Sequence, residues 1–293
     1  MKRLRRWWKG QSGSARLRLG LLFILVTLAA GFSAAGLLNS GDWGGFFLNL
    51  GTELAGAALT FVLLDQLLAN RERREAIEEQ AAQMKTMLID RMASAVREVA
   101  VPAADELRRQ NWLLDGSMVQ VDLRRANLER VNLANADLRE VNLYRARLNQ
   151  ADLWRANLAD ADLGGAWLNS ARLWDVNLEG ANLWQARAQN ADFRRANLGN
   201  AEVNETKLDG ADLREVSFKG ANLRDARLIG ANLHEADLTE ADLTGANLSG
   251  CNLREAILRR AVLDQAIFDA DTVLPDGKRW SPALDLSGYL DDE

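Results

Sequence analysis

The stretch ANLHEADLTEADLTGANLSG, residues 231–250, repeats alanine, asparagine or aspartate, and leucine at every fifth residue. A helix rotates about 100° per residue, so leucines at this spacing would drift off any single face. A strand alternates its faces, so an odd step would send successive leucines to opposite sides. The period instead indicates a three-residue extended segment followed by a two-residue corner. Four such units would close a coil of 20 residues, and coils would stack at about 4.8 Å.

The same register continues without insertion through 30 units from Val121 to Ala270. The first residue of each unit, the small inward position, is alanine in 23 units. The third residue, the large inward position, is leucine in 25 units, and the middle residue, which points outward, is Asn or Asp in 19. This regularity predicts a solenoid whose interior is a solid apolar column. Such a column has no room for a drug-sized ligand, so any function must lie on its outside or in its shape.

Tandem A(D/N)LXX units of this kind resemble the pentapeptide repeat family, and the resemblance covers about half of the chain. It implies a right-handed quadrilateral β-helix of about 7–8 coils over residues 121–270. The family includes quinolone-resistance proteins that mimic DNA and bind gyrase. Because the same coil serves unrelated roles, the resemblance implies a fold and leaves the function open.

Two apolar stretches before the repeats predict a transmembrane hairpin over residues 17–69. The first is uncharged from Leu19 to Leu38, the second covers residues 46–64, and a short linker joins them. About 20 apolar residues cross a bilayer as a helix. Basic residues in segment 1–16 and after the second span place both ends in the cytoplasm, at a bacterial inner membrane. A cleaved signal peptide and a twin-arginine export signal are the alternatives.

Glu53 lies within the second predicted span, where an acidic side chain is costly and often functional. Gly51 and Gly56 beside it form a small-residue face suited to close helix packing. Glu53 is then either protonated or paired within a helix oligomer, or it serves ion or proton passage, or it reaches the membrane interface. Glu53 is therefore the candidate functional residue inside the membrane.

Residues 70–103 predict one amphipathic helix that Pro102 ends. Its apolar residues recur at nearly heptad spacing, as in a coiled coil. The stripe consists of Ile77, Ala81, Met84, Leu88, Met92, Ala95 and Val99. It can pack on a second copy, on the end of the β-helix or on the membrane surface. We favour the second copy and therefore expect a homo-oligomer.

Both ends of the β-helix carry predicted caps, because an open edge invites pairing with another chain. Residues 104–120 supply the N-terminal cap, with Trp112, Leu113 and Met118 as the candidates. In the last three units the middle position becomes apolar. These residues are Ile257, Val262 and Ile267. The tail, residues 271–293, is expected to fold back over the terminal coil and cover them.

The chain offers no catalytic constellation. Cys251 is its single cysteine and His234 its single histidine, which argues against an internal disulfide, a histidine-based metal site and a catalytic triad. We therefore predict no enzyme, no cofactor and no metal. The repeats contain 23 acidic and 19 basic residues, too small an excess for the negative surface of a DNA mimic.

Side chains 20 residues apart should stack in columns on the outside of the coil. Outward aromatic and basic residues in three such columns form the candidate partner-binding set: Tyr144, Trp154, Trp167, Trp174, Trp184, Arg187, Arg194, Lys207 and Arg227. Three interpretations are open. The side chains only cover the coil, or they bind a protein partner, because Trp and Arg are enriched at interface hot spots. Alternatively, they bind an anionic partner such as nucleic acid or lipid headgroups.

The leading functional hypothesis is a non-enzymatic, membrane-anchored scaffold that presents a rigid cytoplasmic β-helix to an unknown protein partner. The alternative is an oligomeric channel-like or transport-associated protein in which Glu53 lines a pore. A DNA-mimic protein that binds gyrase is a minor alternative, and nucleic acid is not an expected partner.

Overall fold

The structure, a computed structural model, describes residues 18, 20–28, 30–31 and 43–291. The chain divides into two units, Met1–Gln83 and Met84–Glu293. Helix α1 covers Trp43–Met92, helix α2 covers Arg97–Arg109, and a short 3-10 helix covers Ser287–Tyr289. Between α2 and the 3-10 helix the chain winds into a β-helix, in which single bridges replace extended strands throughout the described residues.

The first unit pairs an N-terminal helical segment with α1. Residues 20–28 and 30–31 are helical, and Arg18 lies 3.1 Å from Asp65 and 2.8 Å from Glu72. The start of the segment therefore lies beside residues 65–72 of α1, as an antiparallel hairpin requires. Within the described residues, one helical stretch, Phe47–Met92, is long and apolar enough to cross a membrane by length and composition. The basic segment 1–16 and parts of the first predicted span and its linker lie outside the described residues.

The helical boundaries differ from the sequence-based predictions. Helix α1 begins at Trp43, inside the predicted linker, and continues without a break past residue 70, because residues 57–92 contain no glycine or proline. The prediction that one helix ends at Pro102 is wrong. Helix α1 ends at Met92, and Pro102 lies inside α2. Proline removes one helical hydrogen bond, and the buried face of α2 compensates for that loss.

The apolar stripe of α1 does not form one continuous surface. Leu88 and Met92 are buried in the core that continues into the β-helix, whereas Ile77 and Met84 are exposed. Self-association through Leu88 and Met92 is therefore wrong, because these two side chains cover the end of the apolar column. Homo-oligomerisation through the exposed part of the stripe remains a prediction.

The β-helix has four faces, each a column of middle residues 20 positions apart that form parallel bridges. The columns begin at Asp122, Asn127, Asn132 and Asp137, and we number the faces one to four in this order. At each corner the large inward residue accepts a hydrogen bond from the residue three positions on, as in Ala126 N to Leu123 O at 3.1 Å. The second corner residue has a positive φ at every fifth residue from Arg125 to Gln265. This geometry is that of type II turns.

The middle Asn or Asp stabilises the corner that follows it. Its Oδ1 accepts the N–H of the first corner residue, as from Tyr144 to Asn142 at 3.0 Å. This local bond explains why short acceptor side chains dominate the position. The rare polar residues of the small inward position also have partners, since Thr206 Oγ1 donates to Leu183 O at 2.7 Å.

The N-terminal end of the column is closed by the residues before it. The carbonyls of Ser94 and Leu113 accept the edge N–H groups of Asn127 and Asp137 at 2.9 and 2.8 Å. Leu113 and Met118 are buried beneath them. The preceding chain thus hydrogen-bonds the first edge of the coil on two of its four faces, and it blocks the addition of another strand to those two faces.

The C-terminal end extends beyond the predicted repeats. Val273 bridges Asn252 after one inserted residue, and Thr272 and Leu274 take the two inward positions. Trp280 then stacks on the ring of Phe268, with centroids 5.9 Å apart.

The tail does not cover the three apolar middle residues. Ile257, Val262 and Ile267 are 39%, 41% and 50% exposed, so that prediction is wrong. They lie on three different faces, and the tail instead closes the open end of the column, where Leu274 is buried.

Candidate functional site

The second face carries a different kind of middle residue from the rest of the coil. Its column reads Asn127, Arg147, Trp167, Arg187, Lys207, Arg227, Asn247 and Ile267. The corner after this face uses another acceptor, because Asn149 Oδ1 accepts the N–H of Asn169, and Asn169 Oδ1 accepts that of Gln189, each at 3.1 Å. These asparagines replace the acceptor that a middle Asn would supply. The middle positions are therefore free to hold long side chains.

Trp167 lies between two arginines of its own column. The guanidinium carbons of Arg147 and Arg187, from the coils before and after, each lie 5.1 Å from the ring centre. A cation–π contact of this kind contributes about 0.5–1 kcal/mol at an exposed site. The contacts orient both guanidinium groups without neutralising their charge.

An open cleft of about 500 Å³ surrounds this arrangement. We call it the Trp167 cleft, and it is lined by Ala95, Arg125, Arg145, Arg147, Gly165, Trp167, Gln185 and Arg187. Gly165 has φ +63°, and a Cβ there would lie 3.2 Å from Cγ of Arg145. The glycine thus leaves space for the Arg145 stem, whose guanidinium also lies 5.1 Å from the ring of Tyr144.

The four arginines of the cleft differ in charge pairing from those of the third face and the corner that follows it. Among the described residues, no carboxylate forms an ion pair with Arg125, Arg145, Arg147 or Arg187, and all four are exposed. On the third face and its following corner the arginines are paired with carboxylates: Arg155, Arg172, Arg194, Arg195, Arg214 and Arg254. The Trp167 cleft is therefore a concentrated, unneutralised positive surface.

Arg194, on the corner after the third face, is an example of a neutralised arginine, because it pairs with Asp192 of that face. The two side chains meet at 2.7 Å. Burial acts to raise the pKa of Asp192, but hydrogen bonds from Arg194 outweigh it and hold that pKa below its usual value. Asp192 therefore stays ionised, and its charge cancels that of Arg194.

The predicted aromatic set divides between two corners. Tyr144 and Trp184 lie on the corner before the second face, whereas Trp154 and Trp174 lie on the corner after the third face. In a four-sided coil these corners are diagonally opposite, so the structure does not bring the four rings together. Trp154 and Trp174 form their own pair, with ring centroids 6.1 Å apart.

Comparison with known families supports the repeat assignment directly. The family described as "Pentapeptide repeats" matches in eight copies between residues 117 and 269, more than half of the chain. The chain belongs to the pentapeptide repeat family. The coil is accordingly a right-handed β-helix, which confirms that part of the predicted fold.

Several solved structures are similar to this pentapeptide repeat protein. Rfr23 from the cyanobacterium Cyanothece 51142 is 32% identical over 32% of this chain and 63% of its own, with a TM-score of 0.32. HetL from Nostoc sp. strain PCC 7120, which is involved in heterocyst differentiation regulation, is 31% identical over 55% and 86%, with a TM-score of 0.25. QnrB1, a plasmid-mediated fluoroquinolone resistance protein, is 20% identical over 52% and 84%, with a TM-score of 0.27. No curated protein matches the chain.

The remaining predicted residues of this pentapeptide repeat protein have separate positions. Lys207 and Arg227 continue the Trp167 column, and Arg227 pairs with Asp209 at 3.1 Å. Arg194 lies over the ring of Trp174 on the opposite corner, at 5.5 Å from its centre.

Glu53 lies half-buried in α1, within the first unit. Its role in an oligomer or a pore remains a prediction.

One group of side chains has metal-type ligands. The ligand atoms of His234, Glu235 and Glu255 lie within 4.8 Å of one another. Arg254 lies 3.2 Å from Glu255 and neutralises it, and both glutamates are exposed. The prediction of no metal stays a prediction.

The sequence-based set omitted three arginines of the cleft, and one of them, Arg147, lies in the Trp167 column itself. The other two, Arg125 and Arg145, occupy second corner positions directly before the second face, 20 residues apart. Comparing that corner column with the Trp167 column would have found them. Their lack of acidic partners depends on side-chain geometry and could not be read from the register.

Proposed function

We propose that this pentapeptide repeat protein is a non-enzymatic, membrane-anchored scaffold that presents its second face to a protein partner. The observation that carries the proposal is the Trp167 cleft, where exposed arginines are oriented on a half-buried tryptophan ring and left without carboxylate partners. Tyr144 and Trp184 border this face. Trp, Tyr and Arg are the residues that most often dominate binding energy at protein interfaces.

The interior of the coil supports an external function. The inward side chains are almost completely buried, and Phe193 and Phe218 fill the column where leucine is replaced. Pentapeptide repeat proteins are generally structural or interaction proteins. DNA mimicry requires a dense negative surface, and the Trp167 cleft has the opposite charge.

The anchor is proposed from the N-terminal unit. Helix α1 contains the apolar stretch, and the contacts of Arg18 with Asp65 and Glu72 agree with a hairpin. We therefore propose a bacterial inner-membrane protein with two spans and both ends in the cytoplasm.

The docking surface is tested by covalent capture in cells from which the full-length protein is then purified. Tyr144→Ala/Trp184→Ala removes two aromatic side chains beside the second face, and Trp154→Ala/Trp174→Ala removes two on the opposite corner. We expect the first variant to lose the crosslinked partner and the second to retain it. Equal recovery of partner from both variants would contradict a docking surface on the second face.

A further inference from the structure

We propose that the Trp167 cleft binds an extended acidic segment of the partner protein. This inference rests on the proposed scaffold function and names the chemistry of its partner. Charge complementarity carries it, because the cleft concentrates four guanidinium groups that no described carboxylate neutralises.

The distribution of the arginines favours an extended ligand. Arg125 belongs to the first coil, Arg145 and Arg147 to the second, and Arg187 to the fourth. Three steps between coils give a span of about 14 Å, which an extended peptide of about four to five residues covers. A single carboxylate or phosphate would engage one part of this surface and leave the remaining charges unpaired.

The geometry of Trp167 favours carboxylates over nucleobases. Binding of a single-stranded nucleic acid depends on aromatic faces on which bases stack. Arg147 and Arg187 already lie over the Trp167 ring from the adjacent coils. A guanidinium packed on a ring still presents its N–H edge, which matches a carboxylate in a two-point hydrogen bond.

The experiment measures binding of a fluorescein-labelled hexaglutamate peptide to the full-length protein in detergent, by fluorescence anisotropy at low salt. A hexaglutamine peptide is the control for charge. Arg147→Gln/Arg187→Gln removes two positive charges from the cleft, and the matched Arg194→Gln/Arg214→Gln removes two from the corner after the third face. We expect the cleft variant to weaken binding by about tenfold or more, since charge-assisted hydrogen bonds are lost, and the matched variant to change it by less than about twofold.

A second variant guards against a change in folding. Arg125→Gln/Arg145→Gln leaves Trp167, Arg147 and Arg187 in place. It should weaken binding of the hexaglutamate peptide by a similar factor, with an unchanged circular dichroism spectrum. Equal loss of binding in the Arg194→Gln/Arg214→Gln variant, equal binding of hexaglutamine, or no binding of hexaglutamate would each overturn the proposal. So would displacement of the peptide by pyrophosphate or phosphatidylglycerol vesicles at matched charge.

The scaffold function has a separate readout. If the partner is still captured in cells through Tyr144 and Trp184 while hexaglutamate fails to bind, the acidic-segment inference fails and the docking surface stands. If neither binds, the docking surface fails as well.

Discussion

At the scale of the residue, the corner hydrogen bond explains why Asn and Asp exchange freely at the middle position. Asp242 Oδ1 accepts the N–H of Thr244 at 3.0 Å and its hydroxyl at 2.6 Å, while Asn247 Oδ1 accepts the N–H of Ser249 at 3.1 Å. Both side chains supply the same acceptor oxygen. Only the aspartate adds a charge, so only it makes the corner sensitive to pH.

Asp242→Asn should remove part of the acid sensitivity of the fold. Burial acts to raise the pKa of Asp242, but hydrogen bonds from Thr244 and the charge of Arg224 lower it below 3.8. The pKa of this carboxyl is lower in the folded protein than in the unfolded chain. The ionised carboxylate therefore stabilises the fold above the unfolded pKa, and this stabilisation is lost as pH falls through the folded pKa. We expect the advantage of wild type over Asp242→Asn in chemical denaturation to shrink below about pH 4. A constant difference between pH 7 and pH 3 would contradict this account.

Cys251 replaces alanine at a small inward position and is fully buried. Its Sγ–H donates to Leu228 O at 2.7 Å, and burial raises the pKa of its thiol to about 12. The thiolate is the reactive form of cysteine, so the folded protein should resist thiol reagents.

The raised pKa of Cys251 also predicts the pH dependence of stability. The unfolded thiol ionises near pH 9.0, whereas the folded thiol stays neutral to about pH 12. Stabilisation is therefore complete below pH 9 and is lost as pH rises from 9 to 12, at up to about 1.4 kcal/mol per pH unit. Cys251→Ala should show a shallower fall in unfolding free energy over this window. Rapid labelling of native Cys251 at pH 8 would contradict the burial argument.

At the scale of the element, the N-terminal cap buries the apolar end of the first coil. Leu113 and Leu114 are adjacent, yet Leu113 is 2% exposed and Leu114 is 55% exposed. Leu113→Ala should lower the unfolding free energy by about 2–5 kcal/mol, because it leaves a cavity under the first coil. Leu114→Ala should change it by less than about 0.5 kcal/mol. The check is chemical denaturation followed by circular dichroism, and equal effects would show that residues 104–120 do not close the column.

The same elements show which features the sequence could predict. The five-residue period fixes which side chains point inward, and the 20-residue step fixes the columns, so the coil and the Trp167 column followed from spacing alone. The end of α1 could not be predicted in this way. The chain leaves the helix where the carbonyl of Ser94 can accept the N–H of Asn127, a residue 33 positions away at the edge of the coil. A local rule about Pro102 could not anticipate that tertiary bond.

The candidate site was predictable in its position and unpredictable in its charge. Arg187 and Arg194 look equivalent in sequence, since both stand in columns with tryptophan. In the structure Arg194 pairs with Asp192, two residues before it on the preceding strand segment, while Arg187 has Gln185 two residues before it. The difference between a neutralised and a free guanidinium depends on such local partners, which distinguish the second face from the third.

At the scale of the whole molecule, the proposed anchor and the proposed docking surface lie in different units. The second unit contains the continuous buried core from Leu88 to Ala261, and the first contains the apolar stretch that begins at Phe47. A solid core fixes the relative positions of side chains on neighbouring coils. The arginines of the Trp167 cleft are thus held by the coil itself, which limits the entropy that a partner must overcome on binding.

The proposed membrane topology makes the last prediction. In a Cys251→Ala background, Ser40→Cys places a thiol in the predicted linker and Ser287→Cys places one in the exposed 3-10 helix. With both ends in the cytoplasm, a membrane-impermeant maleimide should label position 40 in spheroplasts and position 287 only after lysis. Denatured samples of both variants supply the labelling control. Labelling at position 287 before lysis would place the β-helix outside the cytoplasm. Release of the protein into the soluble fraction would exclude the anchor and favour a cleaved signal peptide.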